Sequence, residues 1–227
     1  MHGGLGVDSL QKENLSALQD GIPNMVRHIR NLSDNFNLPV VVAVNRFPYD
    51  TESEIQLVKK TCAEMNVPCS LVDSFTQGGA GAIELADQVI AISKNRESAD
   101  KVQPKFLYST EQSIKQKIEI ISKKIYHAET IEFSAEAEED MARISRLGFG
   151  NLPVCIAKTQ YSFSCDPKLL GAPEHFTLTV RSLHLDAGAG FIVALTGAIM
   201  TMPGLPMVPA AEAIDFNEET GNIEGIQ

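Results

Sequence analysis

The run Val40-Val41-Val42-Ala43-Val44 limits what this chain can fold into more than any other feature. Four of its five residues are β-branched, which favours a strand. An apolar run with no alternation predicts cover on both faces, as in a parallel sheet. Asn45-Arg46-Phe47-Pro48 follows at its carboxyl end. In open α/β sheets, ligands bind beyond the carboxyl ends of parallel strands. A polar, a cationic and an aromatic residue placed there make a candidate site. The same residues also fit a solvated strand end with Phe47 folded back into the core.

Helical patterns surround this strand. Leu15, Leu18, Ile22, Met25, Ile29 and Leu32 recur at three- and four-residue steps, predicting a helix over 9–33. Gly21 and Pro23 predict a kink in it or a division into two helices. Thr51 and Glu54 have the spacing of a capping box. Ile55, Val58, Cys62 and Met65 form one stripe of the helix they open. Residues 67–72 predict a second strand. Gly78-Gly79-Ala80-Gly81 then turns into a helix with Ile83, Ala86, Val89, Ile90 and Ser93 on one face.

Helix and strand thus alternate over the first hundred residues, which argues for α/β architecture with parallel strands. The polar stretch 95–104 reads as a linker or exposed loop. Ile114, Ile118, Ile121 and Ile125 predict a helix over 111–126, and Ser134 caps another over 135–147 that Gly148 ends. Beyond that, strands at 154–157, 176–185 and 191–195 lie among loops rich in Gly and Pro. The expected fold is α/β, a parallel or mixed sheet with flanking helices, followed by a smaller α+β domain with a curved mixed sheet. The expected parts are 1–34, a helical remnant of a preceding large domain; 35–127, an α/β domain; and 128–227, an α+β domain.

Charge and cysteine content narrow the function classes. Nineteen Lys and Arg stand against 29 Asp and Glu, giving a net charge of −10. Such a chain is a poor general binder of nucleic acid or anionic membranes. Cys62, Cys69, Cys155 and Cys165 form no C-x-x-C pair, so free thiols in a reducing, cytoplasmic compartment are expected. The sequence has no phosphate-gripping G-x-x-x-x-G-K-[ST], no G-x-G-x-x-G, no G-x-S-x-G and no H-E-x-x-H. No nucleophile, base and oxyanion site assemble, and no metal ligands are expected. His28 and His127, placed on predicted helices, read as structural or exposed.

Three further places draw attention. Phe75 and the glycines at 78–81 follow the second strand, so they share a sheet edge with Phe47. Two aromatic rings so placed suit a flat heterocycle between their faces. Alone, the glycines fit an ordinary strand-to-helix turn. Lys158-Thr159-Gln160-Tyr161-Ser162 follows another strand, and also fits a hydrogen-bonded surface loop. Asp186-Ala187-Gly188-Ala189-Gly190-Phe191 and Thr201-Met202-Pro203-Gly204-Leu205-Pro206 suit tight turns packed at a domain interface or a ligand.

Four motifs occur in one order: Val40 to Pro48, Gly148-Phe149-Gly150-Asn151-Leu152-Pro153-Val154-Cys155, Ala157-Lys158-Thr159-Gln160-Tyr161-Ser162, and Met200 to Pro206. Together they resemble formate–tetrahydrofolate ligase, also called formyltetrahydrofolate synthetase, from residue 2 to the C-terminus. His2-Gly3-Gly4 resembles the tail of a signature that lies mid-chain in that family. The resemblance covers roughly the last two-fifths of the family's length, and the N-terminal half, with its ATP phosphate loop, has no counterpart here. It implies formyl phosphate made from formate and MgATP, then attacked by N10 of tetrahydrofolate to give 10-formyltetrahydrofolate.

It also implies residue roles. Phe47 takes one face of the folate ring. Phe75 stands where the family usually has Trp and takes the other, with less ring area and no indole N–H. Leu71 lines the slot, with Asn45, Arg46 and Pro48 beside it. Lys158, Thr159, Pro203, Gly204 and Leu205 face the nucleotide side. ATP and Mg would be co-substrates of the full enzyme and tetrahydrofolate its substrate, with a monovalent cation a further candidate. Implied partners are these small molecules, the N-terminal P-loop domain of the same enzyme and further copies in a homo-oligomer. The isolated chain is expected to be inactive. The alternatives are a non-catalytic folate-binding or subunit-assembly module, and a base-reading strand of a P-loop enzyme.

Overall fold

The computed structural model describes residues 2–4, 6, 9–98, 103–197, 207–217 and 222–225. They fall into two compact units, Met1–Gly197 and Ala198–Gln227. The fold is α/β, with a parallel sheet and a mixed sheet flanked by helices.

The larger unit opens with helix α1, Leu15–Arg30, capped by the Asn14 side chain on the Ala17 N–H. Pro23 lies inside a single helix, not at a break between two. Gly21 allows close approach: a Cβ there would meet the Gly3 nitrogen at 3.2 Å. The helix widens into a π-turn over Asn31–Asn35. Asn31 and Asn35 donate from it to the carbonyls of Ile125 and Lys124, at 3.0 and 3.4 Å. Arg27 is buried, with its guanidinium on the Pro173 carbonyl (2.7 Å) and Glu174 (3.0 Å). Asn24 donates to the Gly171 carbonyl. His28 and Arg27 both face the Phe163 ring.

Strands β1, Val42–Asn45, and β2, Cys69–Val72, pair in parallel, with Asn45 opposite Val72. Helix α2, Glu52–Glu64, connects them, and its Thr51–Glu54 capping box is formed in both directions. The expected cover on both faces of β1 is not found. The strand begins at Val42, and Ala43 and Asn45 are exposed while Val42 and Val44 are half-buried. The reason is that this sheet has two strands among the described residues, so β1 keeps an open edge and one open face.

A four-residue helix, α3, Ser74–Gln77, follows β2. Helix α4, Ile83–Ser98, packs on β2 through Leu85, Gln88 and Ile92, each half-buried. The Ile83, Val89 and Ile90 side chains face outward instead. The helix runs through residue 98, so part of the expected linker is helical, and residues 99–102 lie outside the described ones.

The mixed sheet has the order β3-β5-β6-β4. Its strands are β3, Thr130–Phe133; β4, Val154–Ala157; β5, Thr177–Asp186; and β6, Phe191–Thr196. β5 and β6 are antiparallel, and the two outer strands run parallel to their neighbours. A bulge between Val180 and Ser182 shifts the register and turns Arg181 outward.

Helices α5, Ile114–Lys124, and α6, Ala135–Arg146, cover one face. Ile114, Ile118, Met141, Ile144, Leu178, Val180 and Ile192 make the core there. Ser134 caps α6 on the Ala137 N–H, as its spacing predicts, and Gly148 ends it at φ 86°. His127 is not helical: it follows α5 in the left-handed region, at φ 61°.

The smaller unit holds a 3₁₀ turn, Ala210–Ala213, and a hairpin of β7, Asp215–Asn217, with β8, Asn222–Glu224. The Asn217 amide donates to Glu224 across it. The turn expected at Pro203, Gly204 and Leu205 lies outside the described residues.

Candidate functional site

The register Asn45 to Val72 sends two turns out of one sheet edge. The last ladder bond is from the Arg46 N–H to the Val72 carbonyl, 2.9 Å. Beyond it, Phe47 to Asp50 close a reverse turn. Its two bonds run from the Phe47 N–H to the Asp50 carboxylate (2.8 Å) and from the Asp50 N–H to the Phe47 carbonyl (3.1 Å). Pro48 at the second position suits such a turn, because its ring presets φ. The outcome is that Phe47 points away from the core, with 65% of its surface exposed. Asn45, Arg46 and Pro48 are exposed beside it.

The second turn begins at Asp73 and enters α3. The Asp73 carboxylate accepts from the Thr76 hydroxyl at 2.5 Å and the Gln77 amide at 2.9 Å. Those two donors, with the Arg46 cation nearby, hold the Asp73 carboxyl below the usual carboxylate range. The Asp73 N–H reaches on to the Gly81 carbonyl, 3.0 Å away.

Two glycines make this closure possible. Gly78 takes φ 57° with ψ −139°, a conformation that side chains with a Cβ avoid. A Cβ on Gly81 would lie 2.2 Å from the Asp73 carbonyl oxygen. Phe75, in the middle of the loop, is 97% exposed. Leu71, one strand residue before Val72, is half-buried.

Two large aromatic rings therefore stand in solvent beyond one end of a parallel strand pair. The sequence pointed to the rings and the glycines. It missed Asp50 and Asp73, the carboxylates that close the two turns. The available signal was spacing: Asp73 stands three and four residues before Thr76 and Gln77, the separation at which side chains meet across one helical turn.

Lys158 belongs to a different neighbourhood. Its ammonium donates to the carbonyls of Thr159 (2.7 Å) and Ser162 within its own loop, and lies 5.4 Å from the Tyr126 ring centre. Burial lowers its pKa, partly opposed by the Cys165 thiol. Ser162 and Ser164 complete this loop through the carbonyls of Leu169 and Asp166. Thr159 is half-buried, and its hydroxyl accepts from the Tyr161 N–H.

Among the described residues, no three His, Cys, Asp or Glu side chains converge where a metal ion would sit. The site's two carboxylates are already occupied by N–H and O–H donors. This donor set does not fit a magnesium ion. No described helix is long and apolar enough to cross a membrane.

The family model described as formate–tetrahydrofolate ligase matches residues 1–227. The match spans both aromatic turns and the Lys158 loop, and with it the chain belongs to the formate–tetrahydrofolate ligase family.

Proposed function

We propose that this chain supplies the folate wall of a ligase that forms 10-formyltetrahydrofolate from formate and tetrahydrofolate through formyl phosphate. The observation that carries the reading is the exposure of Phe47 and Phe75, 65% and 97%, beyond adjacent strand ends. Rings left in water gain by stacking on the faces of a flat heterocycle. In this reading Phe47 and Phe75 take the two faces of the pterin, Leu71 lines the slot, and Asn45, Arg46 and Pro48 form its rim.

ATP, magnesium and formate are met by a phosphate-loop domain, because no such loop occurs in these 227 residues. In this reading the 35–127 part forms the folate side and the 128–227 part the α+β C-terminal domain. The isolated chain then turns nothing over. Lys158 and Thr159, with Pro203, Gly204 and Leu205, stay assigned to the nucleotide side. Lys158 would have to leave the Thr159 and Ser162 carbonyls to meet a phosphate. The full enzyme is a cytoplasmic homo-oligomer in this reading.

Anaerobic calorimetry with tetrahydrofolate tests the proposal. Binding is expected, and Phe47→Ala and Phe75→Ala should each weaken it about tenfold or more, the scale of a lost stacking contact. Equal affinity in both variants overturns the pterin slot. Formation of 10-formyltetrahydrofolate by the purified chain from formate and MgATP overturns its inactivity.

A second reading is a non-catalytic folate-binding or subunit-assembly module. The outward apolar residues of α4, Ile83, Val89 and Ile90, favour it, because such a face suits a partner surface.

A further inference from the structure

Phe75 has almost no packing to hold it, yet a stacking wall must keep one orientation. Helix α3 cannot supply that order alone, since four residues lie below the length at which a helix sustains itself. The order comes from what closes the loop. The Asp73 carboxylate takes Thr76 with one oxygen and Gln77 with the other, on the two residues directly after Phe75. Its carbonyl accepts from the Gln77 N–H at 3.1 Å, and its own N–H is held by Gly81. Four hydrogen bonds from one residue thus bracket the ring on its chain. The Phe47 turn is closed separately, by Asp50.

We infer that Asp73 is the positioning residue of the Phe75 wall, clasping the loop so that the backbone carrying the ring is already set before a ligand arrives. The use of the ring for folate rests on the reading above; the clasp does not. A preset wall removes an ordering cost that binding would otherwise meet.

The chain contains no tryptophan, so Phe75→Trp places a single indole on the wall, excited selectively beyond the tyrosine band. Time-resolved anisotropy and acrylamide quenching then report the local motion of the introduced indole. Adding Asp73→Ala should at least double the amplitude of fast local rotation and raise quenching. Adding Asp73→Asn, which keeps one acceptor oxygen, should give an intermediate value. Adding Asp50→Asn should leave the indole signal unchanged. Circular dichroism and the melting curve check that each variant is folded, and an unfolded Asp73→Ala passes the decision to Asp73→Asn.

In the chain with Phe75, Asp73→Ala should weaken tetrahydrofolate binding about five- to tenfold, and in a Phe75→Ala background it should have no effect. Unchanged indole motion in the Asp73 variants overturns the inference, whatever happens to folate. Increased indole motion in a chain that binds no tetrahydrofolate upholds the clasp and overturns the folate reading.

Discussion

A lysine with no exposed surface must find acceptors, and Lys117 finds two. Its ammonium donates to the carbonyls of Gly150 (2.8 Å) and Leu152 (3.0 Å), so helix α5 holds the 148–153 segment ahead of β4. Burial lowers its pKa, with Glu111 opposing. Lys117→Met keeps much of the volume but orphans both carbonyls. A loss of about 2–4 kcal/mol is expected in urea unfolding, the scale of charge-assisted bonds removed from a buried site. The isoleucine stripe of α5 was legible in the sequence, and Lys117 was not. It sits one residue before Ile118, and a charge in that place ordinarily faces water.

Cys62 carries a pH dependence of its own. Burial, then the neighbouring Cys69 thiol, pushes its pKa up from 9.0 to about 12. The unfolded thiol ionises first, so the stability it contributes is complete below pH 9 and is lost as pH rises toward about 12. Cys62→Ala should flatten the fall in melting temperature across that alkaline window. In the native state a disulfide-exchange dye should label exposed Cys155 first and reach buried Cys62 only on unfolding.

Among the elements, the Gly78–Ala82 turn has little tolerance. Gly81→Ala drives a Cβ into the Asp73 carbonyl, and backbone cannot move aside as a side chain can. We expect it to disorder α3 and lower the melting temperature, whereas Gly79→Ala, which meets nothing within 4 Å, should be silent. At the outer edge of the mixed sheet, the Tyr108 hydroxyl accepts from the Val154 N–H at 2.9 Å and blocks the free edge of β4. Tyr108→Phe should cost about 1 kcal/mol, the usual net value of one such bond, read by chemical denaturation.

Element identity was legible where local chemistry decides it. Both capping residues, Thr51 and Ser134, were visible from spacing. β3 was not, because Thr130–Phe133 alternates over only four residues beside a helix cap. The cover on β1 was misjudged for a related reason. Consecutive valines hide any alternation, so the pattern cannot tell one buried face from two.

Over the whole molecule, one group of apolar side chains among the described residues stands in water on the α/β side. Phe47, Tyr49, Phe75, Ile83, Val89 and Ile90 are all exposed there. Surfaces of this kind drive association. The chain should elute later and more sharply at low concentration in size-exclusion chromatography, and Ile83→Lys with Ile90→Lys should remove that dependence while leaving the circular dichroism intact. The candidate site was legible as a set of motifs. Its presentation was not, because exposure depends on the turns that Asp50 and Asp73 close, and those depend on the parallel register.

The long reach of α1 sets an order in time. Asn24 finds its acceptor 147 residues further along the chain, and Arg27 finds its two at 146 and 147. At a ribosomal pace of about 5–20 residues per second, those acceptors emerge roughly 7–30 s after the helix itself. Gly21 and Pro23 give the segment little helical preference of its own, so it stays uncommitted through that interval. Helix α1 is then made well before the contacts that fasten it, and settles only when the 171–174 loop leaves the ribosome.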